Sequence, residues 1–302
     1  MTTRVLVTGA AGAVGRDLLD VLAGLTPPAG DPDFQPDTQP VGADEFAVMG
    51  LTHHDLDLTD TAAIARCVAS TSPDVIVNLA AYTAVDKAES DAATAFAVND
   101  VAVGALSDAA ARAGAHFITV STDYVFNGRA GVPYREDDRP DPTGVYGASK
   151  WAGEQRCRPT DTVVRTSWVV GTRGRSVVHL MIDRARTGQQ VRFVNDQRGT
   201  YTAAPDLARA LASLVRTRPG GVWHVANSGV TTWFEIAAEV GRLCGRGDDF
   251  ATAIATADLD PQPPAARPAF SALDTSKFAE SYAALPDWRD ALSRLVRDWG
   301  PS

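Results

Sequence analysis

Arg4-Val5-Leu6-Val7-Thr8-Gly9-Ala10-Ala11-Gly12-Ala13-Val14-Gly15 is the stretch whose reading decides the fold. Residues 4–8 form a short, nearly continuous apolar run, the pattern of a strand buried on both faces, and residues 13–25 carry helical period. Three glycines in GxxGxxG spacing join the two. Gly9 can make the tight turn, Gly12 lets the backbone approach a pyrophosphate, and Gly15 allows the helix to pack close to the strand. The helix amino terminus then offers free amides and a partial positive charge to phosphates. Ala11, Ala13 and Val14, which share that turn, complete the expected dinucleotide contacts.

Working outward, the same alternation repeats. Strands are predicted at 46–51, 74–79, 116–121 and 162–166, and helices at 59–70, 91–114 and 145–157. Strictly alternating strands and helices imply right-handed crossovers and a parallel sheet. The expected fold is therefore α/β: a Rossmann-like doubly wound parallel sheet with a smaller carboxy-terminal α/β substrate-binding domain. The first domain is assigned to residues 1–170, with further segments from within 190–225, and the second mainly to 171–302. There the pattern loosens to a helix at 176–187, a strand at 191–194, a helix opening at Pro205-Asp206 and a strand at 222–225. A helix at 231–243, a Pro/Ala-rich loop at 260–268 and a last helix at 288–298 follow. Residues 26–44, rich in Pro, Gly and Asp, exceed the usual 2–6-residue connection and are expected to form a mobile surface loop.

Composition narrows the function classes. The 302 residues carry 28 basic and 37 acidic side chains, a net charge of −9. Such a surface argues against nucleic acid or an anionic membrane as partner, so an anionic ligand must be held by local donors. Cys67, Cys157 and Cys244 have no CxxC spacing, and the five histidines (His53, His54, His116, His179, His224) show no paired-ligand spacing. No metal or disulfide framework is expected. The amino terminus lacks an apolar signal segment and no stretch approaches a membrane span, so a cytoplasmic protein is expected.

Cofactor choice is read after the second strand, at Gly50-Leu51-Thr52-His53-His54-Asp55. An acid directly after the strand would favour NAD. Here Thr52 and His53 could donate to a 2′-phosphate, which favours NADPH with NADH as the alternative. Asp57 and Leu58 could flank the adenine. His53 and His54 as ordinary exposed loop residues remain an equal reading.

Tyr146-Gly147-Ala148-Ser149-Lys150 sets a phenol and an ammonium four residues apart on one helical face. A phenol with an ordinary pKa near 10 is a poor proton carrier at neutral pH, and a neighbouring ammonium lowers it. Ser121-Thr122-Asp123-Tyr124 ends a predicted strand at the carboxyl edge of the sheet, where open α/β folds bind ligands. A hydroxyl there can align a substrate carbonyl with the tyrosine.

These residues resemble the extended short-chain dehydrogenase/reductase family, and within it the dTDP-4-dehydrorhamnose reductases. The similarity rests on residues 5–15, on Pro73-Asp74-Val75-Ile76-Val77-Asn78-Leu79-Ala80-Ala81-Tyr82-Thr83-Ala84-Val85-Asp86-Lys87-Ala88-Glu89, and on Ala97-Val98-Asn99. It continues through residues 121–128, 146–150 and Val164-Arg165-Thr166-Ser167-Trp168. Asn195-Asp196-Gln197, Arg267-Pro268 and residues 273–277 complete it. The resemblance implies an NADPH-dependent oxidoreductase reducing the C4 ketone of a dTDP-4-keto-6-deoxyhexose, with dTDP-4-dehydro-L-rhamnose going to dTDP-L-rhamnose. Another dTDP-deoxysugar of antibiotic biosynthesis is the alternative. It implies Thr122, Tyr146 and Lys150 as the catalytic set, with Tyr146 and Lys150 also touching cofactor, and Ala80, Ala81, Tyr82 and Asn99 beside the cofactor. Thr83, Val85, Thr122, Asp123, Tyr124, Trp168, Asn195, Gln197 and Arg267 are implied on the substrate side. A monomer or homodimer is expected.

Departures fall at Val169-Val170-Gly171, at Arg198-Gly199-Thr200-Tyr201-Thr202 and at Phe270. They lie where substrate contacts are implied and leave the sugar open. Tyr124 stands where related dehydratases carry a second acid, which argues against water elimination. A non-catalytic regulatory subunit resembling the methionine adenosyltransferase β-subunit is the reading from another class.

Overall fold

The computed structural model describes residues 2–34, 36, 41–42 and 44–299. The strands that open the chain are β1 (Thr3–Thr8), β2 (Phe46–Leu51), β3 (Val75–Asn78), β4 (His116–Thr122) and β5 (Thr162–Thr166). Shorter ones follow: β6 (Val169–Val170), β7 (Val191–Val194), β8 (Arg198–Gly199) and β9 (Thr202–Ala203). β10 (Gly221–His224), β11 (Thr231–Thr232) and β12 (Ala251–Ile254) are the last. The helices are α1 (Ala13–Leu22), α2 (Thr61–Thr71), α3 (Val85–Ala88), α4 (Ala92–Phe96), α5 (Ala102–Ala113) and α6 (Val145–Glu154). Later come α7 (Val177–Thr187), α8 (Ala204–Thr217), α9 (Trp233–Leu243), α10 (Ser276–Ser281) and α11 (Trp288–Asp298).

Six strands make one parallel sheet in the order β10-β5-β4-β3-β1-β2. All four residues of β3 are buried, as a strand covered by helices on both faces must be. The order reverses between β1 and β3, so the carboxyl ends of these strands open a crevice at a topological switch point. A buried chain of side chains ties that edge together. Thr8 Oγ1 donates to Asn78 Oδ1 (2.6 Å), and Asn78 Nδ2 donates to Thr119 Oγ1 (3.1 Å). Helix α8 packs its Leu207, Leu211 and Leu214 into the same core as Val5, Val7 and Leu18, and β10 extends the sheet beyond β5.

A second core gathers Met181, Ile182, Tyr201, Ile236, Val240, Phe250, Trp288 and Leu292 under α7, α9 and α11. Its ladders are short: β7 with β12, β8 with β11, and β6 with β9. Several details differ from the sequence-based expectation. β12 and α10 were not anticipated; each is only a few residues long, and β12 exposes its two central positions. The helix expected from residue 231 begins at Trp233, because Thr231–Thr232 pairs with β8 and Thr232 Oγ1 accepts from Glu235 N (3.1 Å) as its cap. The helix expected over 91–114 is interrupted by a π turn, Ala97–Val101.

The stretch 26–44 is anchored where a mobile surface loop was expected. Ala29 and Phe34 are buried; Ala29 N donates to Asp298 Oδ2 (2.7 Å) and Ala29 O accepts from Arg294 Nη1 (2.5 Å). Residues 35, 37–40 and 43 of that stretch lie outside the described residues. No described helix is long and apolar enough to cross a membrane.

Candidate active site

A cleft of about 990 Å³ lies along the carboxyl edge of the sheet, at the upper end of small-molecule sites and large enough for an extended ligand. Its first wall is the turn between β1 and α1. Gly9 has φ +70°, and a Cβ there would sit 2.6 Å from Ala80 N, so a side chain is excluded by both strain and contact. A Cβ on Gly15 would lie 2.3 Å from Gly9 O, so only glycine lets α1 approach the turn this closely. Gly12 is exposed at the N-cap of α1, and no side chain caps the helix. The turn is open to a phosphate, with uncapped amides behind it. Gly9, Ala11, Gly12, Ala13, Val14 and Gly15 all line the cleft, and the donor set fits the pyrophosphate of a dinucleotide.

Thr52, His53, Asp57 and Leu58 also line it, past the end of β2. Thr52 N and Oγ1 both donate to Asp55 Oδ2 (2.8 and 2.7 Å), so its donors are already committed within the loop. Asp57 accepts from Thr59 N (2.9 Å) and Oγ1 (2.8 Å) and shapes the approach to α2. Leu58 is buried in the core beside Leu56. His53 is exposed and its ring makes no hydrogen bond among the described residues.

Ala80, Ala81, Tyr82, Thr83 and Val85 form the floor beyond β3. Asn99 does not line the cleft; it holds that floor from behind. Its Oδ1 accepts from Tyr82 N (2.9 Å), while Nδ2 donates to Tyr82 O (3.0 Å) and to Ser149 Oγ (3.0 Å). Asn99 sits in the π turn, a distortion that recurs at functional sites.

The far end of the cleft brings Thr122, Tyr146 and Lys150 together. Thr122 closes β4; Tyr146 and Lys150 face it from successive turns of α6. Burial pushes the Tyr146 phenol up to about 12, with the facing Thr122 hydroxyl pulling the other way. Burial pushes the Lys150 ammonium down to about 8, against the pull of the Glu154 carboxylate. Both groups are therefore protonated at neutral pH. The Lys150 ammonium was expected to lower the phenol, but burial dominates and leaves Tyr146 a weaker acid than free tyrosine, with a proton to give to a strong base such as a forming alkoxide. Lys150 Nζ donates to Val120 O (2.7 Å). Thr122 Oγ1 donates to Asp123 Oδ1 (3.1 Å) and accepts from Tyr124 N (3.2 Å). The Tyr124 and Tyr146 rings meet edge to face, 5.7 Å between centroids.

The residues assigned to the substrate side divide. Asp123, Tyr124 and Trp168 line the cleft. Asp123 is 1% exposed, and its other oxygen accepts from Ser271 Oγ (2.5 Å). Burial raises this carboxyl to about 6, the Ser271 hydrogen bond opposing. Trp168 takes φ +44°, stacks on Trp233 (4.4 Å between centroids), and lies against Gly199, where a Cβ would come within 2.7 Å of the ring. Asn195, Gln197 and Arg267 lie outside the cleft walls. Asn195 Oδ1 accepts from Thr232 Oγ1 (2.9 Å), Gln197 Nε2 donates to Thr256 Oγ1 (2.9 Å), and Arg267 Nη2 pairs with Asp86 (2.8 Å). Sequence reasoning missed Trp233, Ser271 and Asp86. Each acts through a partner 65 or more residues away, which no local spacing signals.

Comparison with known proteins places this geometry. The family described as RmlD substrate binding domain matches residues 3–300. A dTDP-4-dehydrorhamnose reductase of Streptomyces griseus is 41% identical over 96% of this chain and 92% of its own. The spore coat polysaccharide biosynthesis protein SpsK of Bacillus subtilis is 34% identical over 98% of both. Among solved structures, a dTDP-4-dehydrorhamnose reductase of Bacillus anthracis in complex with NADP superposes with TM-score 0.85 at 29% identity, covering 98% of this chain and 99% of that one. The uncapped glycine turn and the Thr122–Tyr146–Lys150 group thus sit on a fold and a sequence shared from end to end, and the chain belongs to the dTDP-4-dehydrorhamnose reductase family of extended short-chain dehydrogenase/reductases.

Proposed function

We propose that this chain reduces the C4 ketone of a dTDP-4-keto-6-deoxyhexose, taking dTDP-4-dehydro-L-rhamnose to dTDP-L-rhamnose in the cytoplasm. The observation that carries the reading is that one cleft joins an uncapped, glycine-lined helix amino terminus to a buried Thr–Tyr–Lys group. NADPH, for which NADH can substitute, supplies the hydride when bound. The turn from Gly9 to Gly15 would hold its pyrophosphate, His53 its 2′-phosphate and Lys150 its nicotinamide ribose. Thr122 hydrogen-bonds the ketone oxygen. As that oxygen gains an electron pair on C4 reduction, Tyr146 gives it the phenolic proton, and the neighbouring Lys150 charge stabilises the phenolate left behind. The unit built on the six-stranded sheet carries the cofactor. The unit around Trp288 and Tyr201 carries the sugar nucleotide, with Trp168 against the sugar. Arg267 meets the diphosphate by exchanging Asp86 for it.

A second reading keeps the reaction and changes the sugar. A probable dTDP-4,6-dihydroxy-2-methyloxan-3-one 4-ketoreductase of Streptomyces antibioticus is 38% identical over 98% of this chain, close to the figure for the rhamnose-type relatives. A panel of dTDP-4-keto-6-deoxyhexoses with NADPH or NADH, followed by cofactor absorbance and product NMR, separates the two. The highest kcat/KM is expected with dTDP-4-dehydro-L-rhamnose and NADPH. A higher value on another keto sugar selects the second reading, and no oxidation on any of them rejects the reaction class.

A further inference from the structure

Behind the proton-transfer group lies a buried ion pair that the proposed reaction does not itself use. Glu154 is the third member of a stripe on α6, one turn beyond Lys150 as Lys150 is one turn beyond Tyr146. Its carboxylate accepts from the Ser121 hydroxyl on β4. It also receives Arg165 of β5: Nε lies 3.1 Å from Oε1 and Nη2 lies 2.8 Å from Oε2. The Glu154 and Arg165 side chains are only 3% and 2% exposed. Ser121 immediately precedes Thr122, and Lys150 grips the carbonyl of Val120 on the other side. The end of β4 is therefore clamped to α6 at two adjacent residues, and Thr122 is the next residue along.

We propose that Glu154 is a positioning residue for proton transfer: it seats Ser121, and through it Thr122, from a place one turn beyond Lys150 on the same face of α6. This rests on the reductase reading of the site. The charged and titratable neighbours of Glu154 come from every element packed there. α6 contributes Lys150, the turn after it contributes Cys157, and β5 contributes Arg165. Behind Arg165, His224 of β10 lies with Nε2 3.4 Å from Nη1 and is held neutral by burial, its pKa down at about 3. Glu136 accepts the His224 amide (3.0 Å), and Asp100 of the π turn is paired with Arg156 at 2.8 Å. Of these, Glu154 and Cys157 act on Lys150, with Glu154 the larger. Removing its charge lowers the pH at which Lys150 gives up its proton.

The chain has only three lysines, Lys87, Lys150 and Lys277, so Lys150 can be followed directly by ¹³Cε–¹Hε NMR, with Lys150→Met for assignment. Glu154→Gln keeps the shape and the acceptor for Ser121 and removes the charge. Its Lys150 titration is expected to move down by roughly half a pH unit or more. The alkaline limb of kcat should follow by the same amount, with KM for the keto sugar within about two-fold. Ser121→Ala keeps the charge and loses the tether; kcat is expected to fall roughly five-fold at every pH, with the titration unmoved. A Lys150 titration unchanged in Glu154→Gln overturns the proposal, as does a pH-independent loss of rate that merely tracks a lower Tm. Should Glu154→Gln fail to fold, Glu154→Gln/Arg165→Gln removes the pair together; the Lys150 titration is then expected to move down by less, because a repelling cation is lost with the carboxylate, and no downward movement overturns the proposal. The NMR titration needs no substrate. If no keto sugar is reduced, the reductase reading fails while the Glu154–Lys150 coupling is still read.

Discussion

The two walls of the cleft are built in different ways. The cofactor wall is local: seven consecutive positions, Gly9 to Gly15, turn a strand into a helix and leave its amides uncapped. The substrate wall is assembled from distant pieces. Trp168 is set by Trp233 and Gly199, and Asp123 by Ser271, 148 residues away. On the first wall the backbone itself is the binding group, so few substitutions are tolerated sterically. On the second the binding groups are side chains held by other side chains.

The largest effect expected is at the junction of the walls. Tyr146→Phe removes only the proton donor, so turnover should fall by roughly 10²–10⁴ while cofactor affinity, read by calorimetry, stays within about two-fold. Near-normal turnover in stopped-flow NADPH oxidation would take the tyrosine out of the mechanism and leave the two walls with no shared chemistry.

An intermediate effect tests the proposed role of Arg267, just outside that wall. Arg267→Ala should raise KM for the sugar nucleotide by an amount corresponding to about 1.5–3 kcal/mol, the worth of a charge-assisted contact. Asp86→Ala, which frees the same guanidinium, should lower KM or leave it unchanged. Equal rises in both variants, accompanied by a lower Tm, would make the pair a structural clip and remove Arg267 from the binding surface.

The smallest effect lies at the seam between the walls, where α1 meets the start of the second unit. Asp17 is fully buried, and neither of its oxygens accepts a hydrogen bond among the described residues. Burial raises its carboxyl from 3.8 to about 7, with Arg173 at 3.6 Å opposing. A group whose folded pKa is raised contributes stability below its unfolded value, and that contribution is lost as the pH climbs through the folded one. Asp17→Asn cannot ionise. It should be more stable than the parent at pH 8 by on the order of 1–3 kcal/mol, and the gap should close by pH 4. Urea denaturation at the two pH values measures it. A gap that does not depend on pH would show that the loss of the Arg173 contact, and not ionisation, dominates.

The legible parts of this protein were those whose physics is short-ranged. The alternation of buried strands and amphipathic helices specified the six-stranded sheet, and strands such as Phe46–Leu51 and Thr162–Thr166 fell where the pattern put them. Glycine spacing marked the turn between β1 and α1, because a positive φ and a close helix–strand approach each demand a missing side chain. The i, i+4 spacing of Tyr146 and Lys150 marked one face of α6.

Tertiary structure alone decided the rest. Nothing near Asn99 in sequence shows that it braces Tyr82 from behind the cleft, and nothing near Asp123 shows the Ser271 hydroxyl, 148 residues on, donating to its carboxylate. Glu154, Ser121 and Arg165 come from a helix and two strands, and they meet because β4 and β5 are neighbours in the sheet. A periodicity repeats along the chain and can be read from it. A contact between residues a hundred or more positions apart leaves no local trace, since its energy depends on where the whole sheet brings the two side chains.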